Sequence, residues 1–292
     1  MKKIAFVVVG VLALLLFSNV IVLTAGASDD DEKVVIPNEW HGKNKVVIPQ
    51  GDLVQVVYIK RTDDSAVVTN DPTLVYDGPW TGTEPFPNQH YYNGYDVADW
   101  HWVLSKSQNP RGVKYVINPS TAIIKYRLTP PAVVNAIQNG FQAWNGVGPK
   151  PTRSSVLYTY DGVSFTARHS DRIDNKNVVS WASIRDSNGN PDPNVVAVSY
   201  MWYRTSDHGL LDCDTVFNTF VTWGINSGGS TFDIQDIGTH EFGHWTGLND
   251  IYDSQYTPMT MYGYASHGEV YKRTLEQGDI HGVEVAYGMP LT

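Results

Sequence analysis

The sequence predicts an α+β fold, and three observations indicate it. Of the 292 residues, 42% are hydrophobic and only 17% are charged, so the chain can bury a large core. Several strand-type runs follow one another between residues 154 and 223. The clearest helical patterns lie before and after this block, so strands and helices do not alternate as they do in parallel α/β folds.

The N-terminus has the pattern of an export signal. Lysines at positions 2 and 3 precede an apolar run over residues 4–16, which continues with weak interruption to residue 23. Small residues at 25–27 are followed by an acidic stretch, so we expect a signal peptide over residues 1–27. The alternative is an uncleaved anchor, because the apolar stretch approaches the roughly 20 residues that span a bilayer. Both interpretations place the rest of the chain outside the cytoplasm, as a secreted or a cell-surface protein. Only the anchor would give a membrane contact.

Charge and cysteine content exclude further kinds of partner and of covalent stabilisation. The net charge is −9 and no long Lys/Arg run occurs, which argues against a nucleic-acid partner, because affinity for phosphates comes from clustered positive charge. Cys213 is the single cysteine, so no intrachain disulfide can form. We expect it to be a buried, inert thiol.

The region over residues 28–97 is rich in turn-forming residues and has short β-branched runs at 45–48 and 53–59. It is predicted to be a small β-rich or irregular N-terminal region, either a propeptide or a lasting accessory region. Residues 98–292 are predicted to form the functional domain.

The elements of that domain begin with a strand over residues 112–119. A helix then starts at Pro130, with Thr129 as its N-cap. Apolar residues recur at spacings of three and four and predict one buried helical face: Val133, Ile137, Phe141 and Trp144. Further strands are predicted over residues 156–160, 163–167, 178–184, 195–203 and 210–223.

Two more helices complete the predicted domain. One covers residues 232–247, with Asp233 near its start. The other covers residues 274–287, where Thr274 and Gln277 fit a capping box and Gly288 fits the C-terminal cap.

The chemistry is concentrated in the helix over 232–247, which contains the run HEFGH. Its histidines, His240 and His244, are four residues apart and lie on one helical face, where they can share a metal ion. With one further ligand, zinc keeps a position for water, whose pKa it lowers to about 7. Glu241 would accept the proton as the water attacks a peptide carbonyl, and would pass it to the leaving amine. The alternative is that both histidines are ordinary polar residues of a helix face.

The third ligand is predicted from the longer pattern HExxHxxGxxD. Gly247 can end the helix in a left-handed turn, after which the chain reverses and returns Asp250 to the metal. Two histidines and Asp250 make a complete ligand set with one position free. Two alternatives remain: Asp250 is a plain turn residue, or Asp253 takes the ligand role.

This extended motif resembles that of the metzincin clan of zinc endopeptidases, in the form with a final Asp that the snapalysin group has. Beyond the motif, the chain resembles the matrixins, the matrix-metalloproteinase-like peptidases, over residues 100–288. The likeness rests on the segments INPS, QAWNGV, LLDCDTVFN and TLEQGDIHGVEVAYG. It implies a metzincin-like catalytic domain with a twisted mixed sheet, an edge strand over the cleft, an active-site helix and a C-terminal helix.

The resemblance also implies site residues outside the motif. A methionine turn follows the zinc motif in this clan, and Met261 matches it best, with Met259 as the rival. Tyr262 or Tyr264 would support the oxyanion, or both are ordinary packed tyrosines. A peptide substrate would pair with the edge strand. The resemblance assigns that strand to Leu211, Asp212, Cys213, Asp214, Thr215, Val216, Phe217 and Asn218.

Additional metals are less well indicated. Asp212 and Asp214 are either ligands of a structural cation or solvent-facing strand residues. His169 and Asp171 match the first half of the matrixin structural-zinc site, but the later histidines are not evident and His208 is a poor match. Alternating polar residues over 186–192 resemble calcium ligands, although a plain polar turn is favoured because the glycine lies at the wrong place for an EF-hand. One catalytic Zn²⁺ is therefore predicted, and a structural Ca²⁺ stays unassigned.

The sequence thus predicts a secreted, monomeric zinc metalloendopeptidase that acts on proteins or peptides. Animal matrixins are kept latent by a propeptide cysteine, and no cysteine lies between residues 28 and 100 here. One alternative is a gluzincin-type peptidase with Glu269 or Glu276 as third ligand. Another is an exported glycan-binding or peptide-binding protein in which the motif is inert.

Overall fold

A computed structural model of the chain describes residues 32–62, 94–225 and 229–290. These residues belong to the compact unit formed by Asp31–Thr292. The predicted signal peptide over residues 1–27 lies outside the described residues. Among the residues that are described, no helix has the length and apolar character needed to cross a membrane.

Most of the described strands join one sheet. In chain order they are β1 (Lys33–Ile36), β2 (Lys45–Gln50), β3 (Leu53–Thr62), β4 (Val113–Ile117), β5 (Tyr158–Val163), β6 (Asn177–Asp186), β7 (Val195–Arg204), β8 (Leu210–Asn218), β9 (Trp223–Gly224), β10 (Phe232–Asp233) and β11 (Tyr264–Ala265). The order across the sheet is β11-β3-β7-β8-β6-β4-β5, while β1 pairs with β6 and β2 with β3. β9 and β10 pair separately.

Strand direction changes within the sheet. The neighbours β8, β6, β4 and β5 run parallel to one another. β7 is antiparallel to β8, β3 is antiparallel to β7, and β2 is antiparallel to β3. The predicted α+β class with a mixed sheet is confirmed.

The β-branched runs of the predicted N-terminal region form β2 and β3, which belong to the same sheet as the later strands. Alternate residues of β3 are buried on its two faces. Val56 joins the large core under the helices, whereas Val57 and Ile59 join a second core on the opposite face. β3 is therefore packed on both sides.

Four α-helices lie among the described residues: α1 (Ser120–Tyr126), α2 (Pro130–Val147), α3 (Ile234–Trp245) and α4 (Gln277–Ala286). The four apolar residues predicted to form the inner face of α2 are all buried. α2 packs against α3, where the rings of Phe141 and Phe242 stack with centroids 3.6 Å apart. Gly140 permits this approach, because a Cβ there would lie 3.1 Å from the Phe242 ring.

Several element boundaries differ from the prediction. The short helix α1 was not predicted, because its seven residues show no side-chain cap. The strand expected over 163–167 does not form, since β5 ends at Val163 directly after Gly162, whose φ is +111°. β8 ends at Asn218 rather than at residue 223. The last helix begins later than predicted, because Glu276 and Asp279 form its capping box.

Candidate metal centre

His240 and His244 lie on one face of α3, as their spacing predicts. The helix begins after Asp233, whose side chain caps the first turn by accepting a hydrogen bond from the Asp236 N–H. The two imidazole centroids are 4.9 Å apart, and both rings are buried. A rigid helix therefore holds both rings at the spacing of one turn.

The turn after α3 brings Asp250 back to these rings. Gly247 has a φ of +99°, and a Cβ at this position would lie 2.9 Å from the carbonyl oxygen of Trp100. Only glycine adopts this conformation and tolerates this approach without strain. Asp250 Oδ1 lies 3.1 Å from His240 Nε2 and 3.7 Å from His244 Nε2. One ligand atom from each of the three residues lies within 4.8 Å of the other two.

The atoms that converge here fit a metal ion. His240 Nε2 and Asp250 Oδ1 are buried and have no hydrogen-bond partner among the described residues, although buried polar atoms are almost always paired. Burial lowers the pKa of His240 well below 6.5 and the pKa of His244 to about 3. Both imidazoles are therefore neutral, which is the form that binds metals.

Backbone carbonyls fix the orientation of both rings. His240 Nδ1 lies 2.7 Å from the carbonyl oxygen of Thr260, and His244 Nδ1 lies 2.8 Å from that of Leu248. A carbonyl oxygen can only accept, so each Nδ1 carries the hydrogen and each Nε2 keeps its lone pair for a metal. These partners were missed in the sequence, because any residue type supplies a carbonyl.

Glu241 is completely buried beside the ligands. Its Oε2 accepts a 2.6 Å hydrogen bond from the Ser199 hydroxyl of β7, whereas its Oε1 has no partner among the described residues. Burial raises the pKa of Glu241 to about 8, although the Ser199 hydrogen bond and the Lys60 charge act in the opposite direction. A carboxyl group with a pKa near neutrality can both accept and donate a proton.

A family model described as Matrixin matches residues 106–288, which is more than half of the chain and includes this cluster. The chain belongs to the matrixin family. Matrixins are zinc-dependent metalloendopeptidases, so the reaction class is peptide-bond hydrolysis and the substrate is a protein or a peptide. A search of curated proteins found no match.

In this matrixin, Met261 packs against the histidine helix. A Cβ on Gly243 would lie 2.1 Å from Met261 Sδ, so the methionine directly contacts α3 between the two histidines. Asp279 holds this turn in place, because its carboxylate accepts hydrogen bonds from the N–H groups of Thr260 at 2.9 Å and Met261 at 3.1 Å. Met261 is also a buried member of the large core, so its role as the methionine turn stays a prediction.

Two tyrosines that the sequence did not single out touch the candidate ligands. Tyr252 donates a 3.0 Å hydrogen bond to the carboxylate of Asp250, and Tyr58 of β3 stacks on the imidazole of His244. The rings of Tyr262 and Tyr264 pack against each other with centroids 5.9 Å apart. Oxyanion support by Tyr262 or Tyr264 stays a prediction.

The prediction that Leu211–Asn218 form the sheet edge was wrong. These residues lie in β8, which pairs with β6 on one side and with β7 on the other. The outer strand of this block is β7, and its remaining edge pairs with β3. Asp212 and Asp214 are buried rather than solvent-facing, and they accept hydrogen bonds from backbone N–H groups of the loop over 170–178.

The other predicted candidates have different partners. Glu269 forms an ion pair with Lys272, and Glu276 caps α4. Asp253 caps a short 3₁₀-helix, Ser254–Tyr256. Asp186 accepts hydrogen bonds from the N–H groups of residues 188 and 190, which is the plain polar turn that the sequence favoured. Cys213 is buried, as predicted.

Proposed function

We propose that this matrixin is a secreted metalloendopeptidase in which His240, His244 and Asp250 hold one catalytic zinc and Glu241 is the general base. The observation that carries the proposal is the convergence of buried ligand atoms without hydrogen-bond partners. The carbonyl bonds at both Nδ1 atoms support it, because they leave both Nε2 lone pairs available.

The proposed division of labour follows from the contacts. Bound zinc supplies a water of lowered pKa and polarises the substrate carbonyl. Glu241 Oε1 would accept the proton of the attacking water and pass it to the leaving amine. Ser199 holds the other carboxylate oxygen, so that Glu241 presents one acceptor atom in a fixed orientation. The hydrogen bonds from both Nδ1 atoms to backbone carbonyls keep the two imidazoles oriented toward the zinc position.

The test of this proposal uses the zinc-loaded chain and a denatured protein, with and without a chelator. Products and the enzyme's own N-terminus are sequenced, so that the active form of the chain is known. Glu241→Gln preserves the shape of the side chain and its bond to Ser199. We expect it to retain zinc and to lose about a thousand-fold or more in rate, as expected for loss of a general base. Glu284→Gln, at a buried glutamate of α4, is the matched control and should stay active. Wild-type activity in Glu241→Gln would refute the proposal.

Secretion rests on the first 27 residues and has its own test. Expression of the full chain in a secreting host should release a protein that begins at Ser28. Retention of the full-length chain in the membrane fraction would favour the anchor instead.

A further inference from the structure

The two histidines and the glutamate of the proposed site are closed off from solvent. His240 and Glu241 expose 0% of their surface and His244 exposes 1%. A peptidase must admit an extended polypeptide to these atoms. A segment that covers these atoms would therefore block access of a substrate.

β3 lies along an edge to which a peptide would otherwise bind. It is antiparallel to β7 in a register that runs from Leu53 opposite Arg204 to Lys60 opposite Ala197. Its last residues run parallel to β11, where Arg61 lies opposite Tyr264. Without β3, β7 would be the edge strand of the block β4 to β8. Extended peptides bind proteins by adding a strand to such an edge.

Two side chains of β3 reach the ligands. Tyr58 stacks on His244, with ring centroids 3.7 Å apart and planes 9° apart. Lys60 Nζ donates a 2.7 Å hydrogen bond to the carbonyl oxygen of Tyr262 and lies 3.1 Å from His240 Nδ1. The second distance is a contact rather than a hydrogen bond, because His240 Nδ1 donates its hydrogen to a backbone carbonyl.

The opposite face of β3 holds the strand in the sheet. Val57 and Ile59 are buried there in a second core with Val198 of β7. β2 pairs with residues 53–58 of β3, so the two strands form a hairpin, which we call the ribbon, residues 45–62. The ribbon thus has one face on the metal site and another that only packs.

We infer that the ribbon occupies the peptide-binding cleft and keeps the intact chain latent, an inference that rests on the proposed function. Strand pairing with β7 blocks the edge, and Tyr58 and Lys60 cover the ligand imidazoles. No cysteine takes part, in contrast to the latency of animal matrixins. Hydrolysis of other peptides requires the ribbon to leave β7, by displacement or by removal.

The first experiment compares two double variants of the intact, zinc-loaded chain, whose length is verified by mass. Tyr58→Ala with Lys60→Ala removes the contacts with the ligands. Val47→Ala with Gln50→Ala truncates two exposed side chains of β2, the other strand of the ribbon, and is the matched control. Hydrolysis of a short quenched-fluorescent peptide is measured. We expect the first pair to gain at least about tenfold, since activity follows the open fraction of molecules, and the control to gain less than about twofold.

The outcomes separate this inference from the proposed function. An intact wild-type chain that cleaves the peptide as fast as the first pair overturns latency and leaves the peptidase assignment standing. An equal gain in both pairs overturns the role of Tyr58 and Lys60. Variants that hold zinc and cleave no peptide at all would refute the proposed function instead.

Amide hydrogen exchange gives a second test that needs no substitution in the ribbon. The zinc-loaded Glu241→Gln chain is mixed with the same peptide. We expect no binding, or binding accompanied by loss of protection over residues 53–62. Peptide binding with these amides still protected would overturn the inference.

Discussion

Two parts of the chain bring histidine close to aspartate, and they differ in how the ligand atoms are used. In the cluster at α3, ligand atoms of His240, His244 and Asp250 lie within 4.8 Å of one another, and both histidines are buried. In the loop after β5, His169 Nε2 lies 4.0 Å from an oxygen of Asp171, whose side chain is 93% exposed. His169 Nδ1 pairs instead with the carboxylate of Glu32.

The two regions differ in what occupies the ligand-type atoms of their histidines and aspartates. At α3, carbonyls occupy both Nδ1 atoms, and His240 Nε2 and Asp250 Oδ1 are buried without a hydrogen-bond partner in the described part of the chain. In the second region, the carboxylate of Asp214 is occupied by the N–H groups of Ser170 and Val178. These hydrogen bonds tie the loop to β8, and a structural cation in this region stays unassigned.

The largest expected effect is loss of metal from the α3 cluster. His240→Ala removes one of three ligands, and even partners that only orient a ligand are worth 10- to 100-fold in affinity. We therefore expect zinc affinity to fall by more than about a hundred-fold, with loss of peptidase activity. Competition with a chromophoric chelator measures this. An unchanged zinc affinity in His240→Ala would show that the α3 cluster does not hold the zinc.

A smaller effect is expected from Gly247→Ala, which tests the turn that returns Asp250. The substitution combines a φ of +99° with a Cβ 2.9 Å from the Trp100 carbonyl. We expect it to lower the free energy of unfolding by about 2 kcal/mol or more. Gly189→Ala is the control, because Gly189 has a φ of +81° and no atom near its Cβ position. Equal losses in urea unfolding would show that the close contact is not important.

The pH dependence of stability tests the burial of Asp212, the β8 residue that accepts hydrogen bonds from the loop after β5. Burial raises the pKa of Asp212 to about 6, above its ordinary value of 3.8, despite the backbone hydrogen bonds it accepts. The folded state therefore keeps a proton that the unfolded state releases, and the free energy of unfolding should fall as pH rises from about 4 to 6. Asp212→Asn should reduce this fall, as measured by urea unfolding at several pH values in the absence of zinc. If the free energy of unfolding changed with pH to the same extent in both proteins, the fall could not be assigned to Asp212.

The smallest effect is expected at His169. His169→Ala removes its hydrogen bond with the carboxylate of Glu32, and one such bond contributes about 1 kcal/mol to stability. Zinc content and peptidase activity should stay at the wild-type level. Loss of a bound zinc in this variant would show that the second region is a metal site after all.

The convergence of His240, His244 and Asp250 could be predicted from the sequence, because it depends on local geometry. The four-residue spacing of His240 and His244 is itself the helical repeat, and Gly247 is a local requirement of the reversing turn. The apolar face of α2 follows from the same periodicity. These features need no knowledge of distant parts of the chain.

Contacts between distant segments could not be predicted in the same way. Ser199, Tyr58 and Lys60 reach the site only because β7 and β3 are neighbours in the sheet, and strand order leaves no local pattern. Because strand order leaves no local pattern, the prediction that Leu211–Asn218 form a sheet edge was also wrong. The last helix was predicted to begin at Thr274, although Glu276 is its N-cap, because both residues have side chains that can cap a helix.

Zinc stoichiometry in matched aspartate variants tests the central assignment most directly. Asp250 lies against both histidines, whereas Asp253, three residues later, caps a 3₁₀-helix. After dialysis against zinc-free buffer, we predict about one zinc per chain in the wild type and in Asp253→Ala, and almost none in Asp250→Ala. Stoichiometric zinc in Asp250→Ala would contradict the assignment of Asp250 as the third ligand.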